Sequence, residues 1–286
     1  MGFPTDQKII DLMLSLPSNN KGVYDSFKPL LRDKESLSAF DFPAQYMFKD
    51  VPDHDGVTDR IGWLLNVMDR YNIERAFTGV NPADPDWQTI QAKHRDRFLF
   101  CAHVDPNGGM ETYDLLREWH RDYRIDGVGV FPAGCVPQVP IDDRRMWPIY
   151  AFCCEKDLPI FINVGVPGPR VPLACQRVEL IDEVCWFFPE LKFVMRHGAE
   201  PWQDLAVKLM LKYPNLYYST SAFAPKHYPK SIIDYANTRG ADKIMYSGYS
   251  AGLKMERIFD ELPRVPFTDA VWPKFLYENA AKLFKL

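Results

Sequence analysis

Eight short apolar segments, each followed by a stretch of helical periodicity, run the length of this chain, and that alternation constrains its fold more than any other feature. The segments are Lys8–Leu14, Glu74–Val80, Phe98–Val104, Gly127–Phe131, Pro159–Val164, Lys192–Arg196, Leu216–Ser219 and Lys243–Tyr246. Their length and near-continuous apolar character suit strands buried on both faces. Helical patterns follow them at Asp59–Tyr71, Asp86–Arg95, Met110–Tyr123, Trp147–Lys156, Val178–Phe187, Pro201–Tyr213, Lys230–Arg239 and Met255–Leu262. Strands alternating with helices read as βα units feeding a parallel sheet. Eight such units in about 250 residues predict a (β/α)8 TIM barrel, with residues 1–286 as a single domain.

Local signals place the boundaries. In Leu158-Pro159 and Phe188-Pro189 the residue before proline is pushed out of the α region, which ends a helix just before a strand. Gly198 and Gly248 follow strands six and eight, where the backbone turns tightly at the rim. Residues 269–286 read as one more helix, with Val271, Phe275, Leu276, Ala280 and Leu283 at helical spacing. Residues 15–58 exceed an ordinary βα connection and carry Phe27, Phe40, Phe42, Tyr46 and Phe48. An insertion after strand one of a barrel sits over the mouth, so this segment is expected either to act as a lid or to bury its aromatics against the barrel or a second subunit.

Composition narrows the function classes. A net charge of −4 gives no electrostatic reason to expect nucleic acid or an anionic membrane as partner. No apolar run reaches membrane-spanning length, and no basic stretch leads into an apolar segment at the N-terminus, so the cytoplasm is the expected location. The six cysteines lack Cys-x-x-Cys spacing and read as free buried thiols. Neither a Gly-x-Ser-x-Gly elbow nor a glycine-rich nucleotide-binding motif is present, which argues against a serine triad and a phosphate-bearing cofactor.

A set of strand-end motifs carries a family resemblance. Val104-Asp105-Pro106 follows strand three, Asp126-Gly-Val-Gly-Val-Phe131 covers strand four, and Leu158-Pro-Ile-Phe-Ile-Asn163-Val-Gly165 covers strand five. Arg196-His197-Gly198, Asn215-Leu-Tyr-Tyr-Ser219 and Ala241-Asp-Lys-Ile-Met-Tyr246 mark strands six to eight. Together, from about Asp59 to Leu286, they resemble the amidohydrolase-related family (amidohydrolase 2 type) that includes aminocarboxymuconate semialdehyde decarboxylase. The resemblance implies a barrel with its chemistry at the mouth. The family's metal-binding pattern is degenerate here: its strand-one histidine pair falls on Leu12 and Leu14, its strand-five histidine on Asn163 and its strand-eight aspartate on Tyr249. Its strand-six histidine alone is matched, as His197. Leucine has no lone pair to give, an amide oxygen is a weak zinc ligand, and a phenol titrating near ~10 seldom replaces a carboxylate. No cofactor is therefore expected; if any were bound, it would be a divalent metal such as zinc.

Strand alternation predicts which residues share the mouth. With His197 facing the lumen, Arg196 points to the helical layer, where Glu200 is a candidate partner. Phe161 and Asn163 face inward together, and Asp11 faces away. His197 is the candidate acid/base because imidazole titrates near ~6.5, or else a hydrogen-bonded plug of the barrel top. Asn163 and Tyr249 are catalytic candidates for holding a substrate oxygen, or else a structural hydrogen bond and a filler of vacated volume. Candidate substrate-binding residues are Arg170 as a carboxylate clamp, His103, Ser219, Ser221, Lys226 and His227. The expected partners are a small-molecule substrate and a second copy of the chain, as a homodimer or higher oligomer built on the aromatics of the insertion and C-terminal tail.

Two functional readings follow. One is an amidohydrolase-like hydrolase or lyase acting without metal on a small carbonyl or carboxylate compound by hydration, decarboxylation, or C–C or lactone cleavage. The other is a catalytically inactive barrel relative that binds a ligand or partner.

Overall fold

In a computed structural model of the chain, which describes residues 2–18, 25–38, 42 and 44–286, eight parallel strands form one curled sheet in sequence order. They are β1 (Ile9–Asp11), β2 (Ile73–Gly79), β3 (Phe98–His103), β4 (Gly127–Val130), β5 (Ile160–Asn163), β6 (Phe193–Arg196), β7 (Leu216–Ser219) and β8 (Ile244–Met245). Each pairs with its neighbour in sequence, and helices lie between them, so the (β/α)8 barrel is confirmed. Among the described residues no helix is long and apolar enough to cross a membrane.

Alternation along the strands sorts the core into two layers. One set of alternate residues, among them Phe98, Ile160, Phe193 and Met195, packs outward under the helices. Leu12, Phe77, Leu99, Phe161, Val194 and Met245 fill the lumen. On β4 the inward positions are Gly127 and Gly129, whose missing side chains make room for Phe77, Phe161 and His103 from neighbouring strands. The lumen is thus a packed core.

The seam between β1 and β8 closes without a described strand pairing. At its upper end the Asp11 carboxylate accepts from the Gly248 backbone N–H at 2.8 Å, and a Cβ on Gly248 would lie 2.5 Å from the same carboxylate. Lower down the C-terminal helix takes over. Its π-turn, Lys274–Glu278, sends the Asn279 N–H to the Lys274 carbonyl, which leaves the Phe275 carbonyl to accept from Tyr246 N–H at 2.8 Å. The Asn279 amide donates to the carbonyls of Ala241 and Ile244. Ala280 and Leu283 thereby enter the lumen cluster, and Phe284 packs against Phe77 and Phe161. Truncating Leu283 to Ala would cost about 2–5 kcal/mol, the range for a cavity in such a core.

The tail aromatics expected at a subunit interface are therefore turned inward: Trp272 and Phe275 are buried because the helix completes the barrel. In the insertion, Phe27 packs on Phe131, and Phe42 is buried, with Phe48, against Tyr249. Phe40 lies outside the described residues. All six cysteines are free, and five are buried.

Candidate active site

Strand β6 ends in a tight left-handed turn. His197, Gly198 and Ala199 have φ of 64°, 87° and 56°, a conformation that costs non-glycine residues of order 1–3 kcal/mol. Gly198 is required, since a Cβ there would lie 2.2 Å from the Phe223 ring. The turn breaks the alternation on which the placement of Arg196 was predicted. Instead of pointing to the helical layer and Glu200, Arg196 is the inward residue of β6, reaching across the lumen to Cys101 Sγ at 3.9 Å. Its guanidinium carbon lies 4.8 Å from the centre of the Phe161 ring and 5.8 Å from that of Phe77. Strand parity alone already sets Arg196 with Val194; the error came from extending the alternation past the strand end to His197.

His197 sits at the rim. The Ser221 hydroxyl accepts from its backbone N–H at 3.2 Å and lies 3.0 Å from Nδ1. An oxygen that already accepts the backbone proton is best placed to donate its own to Nδ1, which assigns the ring hydrogen to Nε2. The ring meets Tyr249 edge-on at 5.5 Å, and Tyr249 in turn packs against Phe42 and Phe48 from the insertion. Burial, then the charge of Arg196, push the His197 pKa down to about 3, against a smaller opposing effect of Ser221.

His103 closes β3 above Cys101, with Gly129 and Gly79 directly beneath its ring. Although part of the side chain is exposed, the protein packed around its ring, followed by Arg196, lowers its pKa to about 3 as well. Both imidazoles are neutral at pH 7. Asn163, half-buried at the end of β5, stands opposite Arg196 in the β5–β6 ladder, on the inward parity of Phe161 as expected.

The remaining candidates lie apart or are engaged elsewhere. Ser219 donates to the Met195 carbonyl at 3.3 Å behind the turn. Arg170 binds Asp33 and Glu35 of the insertion at 2.9 and 2.8 Å and lies over the Tyr46 ring. Lys226 and His227 are exposed on a turn after β7, where Lys226 Nζ is 3.8 Å from Glu261. The structure therefore sets His197 against Ser221 and Tyr249, with Arg196 close enough to His197 and His103 to lower both pKa values and Asn163 opposite it on β5. Sequence reasoning missed Arg196 as a member of this group, although an arginine closing an otherwise apolar barrel strand was the available signal.

A divalent metal does not suit these donors. Leu12 is fully buried in the lumen core and Leu14 in the outer layer, Asn163 offers an amide, and the Tyr249 ring is packed among aromatics. Arg196 adds a positive charge beside the one histidine of the pattern. Among the described residues no three His, Cys, Asp or Glu side chains come together as a ligand group.

A barrel with its polar residues gathered at the carboxyl ends of the strands defines an enzyme-type TIM barrel. The chain belongs to the amidohydrolase family, whose model matches residues 61–286. Among solved structures, an uncharacterized TIM-barrel protein of Bordetella bronchiseptica is 22% identical with a TM-score of 0.76, covering 97% of this chain and 98% of that one. A dihydroxybenzoic acid decarboxylase of a Polaromonas species, solved with manganese and the inhibitor 2-nitroresorcinol, is 19% identical with a TM-score of 0.62, covering 98% and 97%. A probable 2-pyrone-4,6-dicarboxylic acid hydrolase of Acinetobacter baumannii, solved with citric acid, is 12% identical with a TM-score of 0.64, covering 98% and 100%. These likenesses establish the fold. No functionally curated protein matches the chain in sequence.

Proposed function

We propose that this protein is a cytoplasmic hydrolase or lyase that acts on a small carboxylate compound without a transition metal, with His197 at the reacting atoms. The observation that carries this reading is the Ser221–His197 contact at the rim, which holds a neutral imidazole in one orientation and leaves Nε2 without a protein partner among the described residues. The Nε2 edge is where the ring exchanges a proton with the reacting oxygen of the substrate as general acid/base. It takes up a proton only as far as a bound anion restores its basicity. Asn163 supplies an amide donor from the adjacent strand end, and the Tyr249 ring sets one wall. The decarboxylase and lactone-hydrolase neighbours, which share the fold, support hydrolysis or C–C cleavage as the reaction type.

The test is a screen of lactones, β-keto acids and enol or dienoic carboxylates with the wild-type protein and His197→Gln. Glutamine keeps a hydrogen-bonding amide of similar reach, so folding should survive while the rate falls on the order of 10²–10⁴. Turnover retained in the variant refutes the role. No turnover across the screen favours the reading of a ligand-binding barrel.

A further inference from the structure

Arg196 is 3% exposed and carries a charge that no carboxylate among the described residues balances. Asp126 is taken by Arg95 and the Phe100 N–H, both at 2.7 Å, and Asp11 by the N–H groups of Met13 and Gly248. Arg196 Nη2 reaches the Cys101 thiol at 3.9 Å, which burial holds protonated, with a pKa pushed up to about 11. Arg196 Nε has no hydrogen-bond partner among the described residues. A buried cation without an anion is costly, and this one lies beneath the mouth, coupled to both His103 and His197.

We propose that Arg196 is the carboxylate receptor of the site, taking one carboxylate group of the substrate on the edge of its guanidinium at the carboxyl end of the barrel. This rests on the small-carboxylate reading above and assigns its anionic group to a particular side chain. The Phe161 and Phe77 rings pack against the guanidinium, so what it can offer a ligand is its in-plane N–H groups, which match the two oxygens of a carboxylate. The charge balance selects a monoanion. Arg170 is neutralised by Asp33 and Glu35, Lys226 faces Glu261, and both histidines are neutral, so a phosphate dianion would remain half compensated. Asn163 lies opposite Arg196 on β5, and the Tyr249 ring, packed on Phe48 at 5.5 Å, stands edge-on beside His197.

The experiment uses sodium benzoate, neutral benzamide and inorganic phosphate as probes, by titration calorimetry at constant ionic strength, on the full chain and on Arg196→Met and Arg196→Lys. Wild type should bind benzoate at least about tenfold more tightly than benzamide, and more tightly than phosphate. Methionine fills the space between the phenylalanines without charge and should weaken benzoate about 10- to 100-fold, the range for a lost charge-assisted hydrogen bond. Lysine keeps the charge but loses the fork, and should fall between; it carries the test if the methionine variant does not fold. Absent benzoate binding in wild type, tighter binding of phosphate, or unchanged benzoate binding in the variants overturns the assignment. If benzoate binding depends on Arg196 while turnover is indifferent to His197→Gln, the proposed function fails and this assignment stands. If turnover depends on His197 but benzoate does not bind, this assignment alone fails.

Discussion

Ser221 Oγ lies 3.2 Å from the backbone nitrogen of His197 and 3.0 Å from its Nδ1, so one hydroxyl fixes both the chain and the ring at the end of β6. The contact forms because His197 adopts a left-handed φ of 64°, which turns it off the strand and toward the residue that follows β7 by two. A side chain in an ordinary extended position there would continue the strand alternation.

Replacing Ser221 by Ala should free that ring. The expected cost is about 1–3 kcal/mol of stability, because both hydrogen bonds to His197 are lost, and the turnover number should fall about tenfold with little change in KM. Nitrogen-15 NMR of the imidazole should show the Nε2–H form in wild type and a mixture in the variant; an unchanged tautomer would show that Ser221 does not hold it.

Asp11 gives a pH signature at the seam. Burial raises its pKa from 3.8 to about 6 against the opposing N–H groups of Met13 and Gly248. The native state thus holds this proton where the unfolded chain has released it, so the associated stability is full below about pH 4 and is lost as pH rises through about 6. Asn at this position keeps the Oδ1 acceptor and cannot ionise. Asp11→Asn should therefore gain up to about 3 kcal/mol over wild type at pH 8 and much less at pH 4, read by urea unfolding. A difference independent of pH would show that Asp11 titrates normally.

The mouth histidines act in the opposite sense. With both pKa values lowered to about 3, the unfolded chain takes up protons near pH 6.5 that the folded protein refuses, so stability falls as pH drops from there toward 3. The double variant His103→Asn/His197→Gln should flatten this limb of the stability curve; an unchanged slope would place the acid sensitivity elsewhere.

Purified protein should hold less than one zinc, manganese or iron per chain, and activity should survive a chelator, because Leu12, Leu14, Asn163 and Tyr249 stand at the ligand positions of the family pattern. Elemental analysis finding one tightly held metal per chain, coordinated by His197, would overturn this.

Self-association is expected through a different surface from the insertion and tail. Trp186 and Phe187, on the helix Ile181–Phe187, are 70% and 50% exposed. Light scattering at micromolar concentration should give a dimer or larger, and Trp186→Glu should shift it toward the monomer. A wild-type mass near 33.1 kDa would rule the oligomer out.

The strands, their order and the barrel were legible in the sequence, because burial on both faces forces short apolar runs and the intervening helices show their own period. So was His197-Gly198 as a strand-end motif, since the turn there demands glycine at 198. Asn163 followed from parity with Phe161 because both lie on one regular strand. The tertiary structure alone decided the left-handed turn at His197, the closing of the seam by Asp11 and the C-terminal helix, and the engagement of Arg170 with Asp33 and Glu35. Periodicity is a property of neighbouring residues along one element and ends where the element ends. A left-handed φ at His197, a π-turn that frees one carbonyl, and ion pairs between loops more than 130 positions apart depend on how separate elements meet in space.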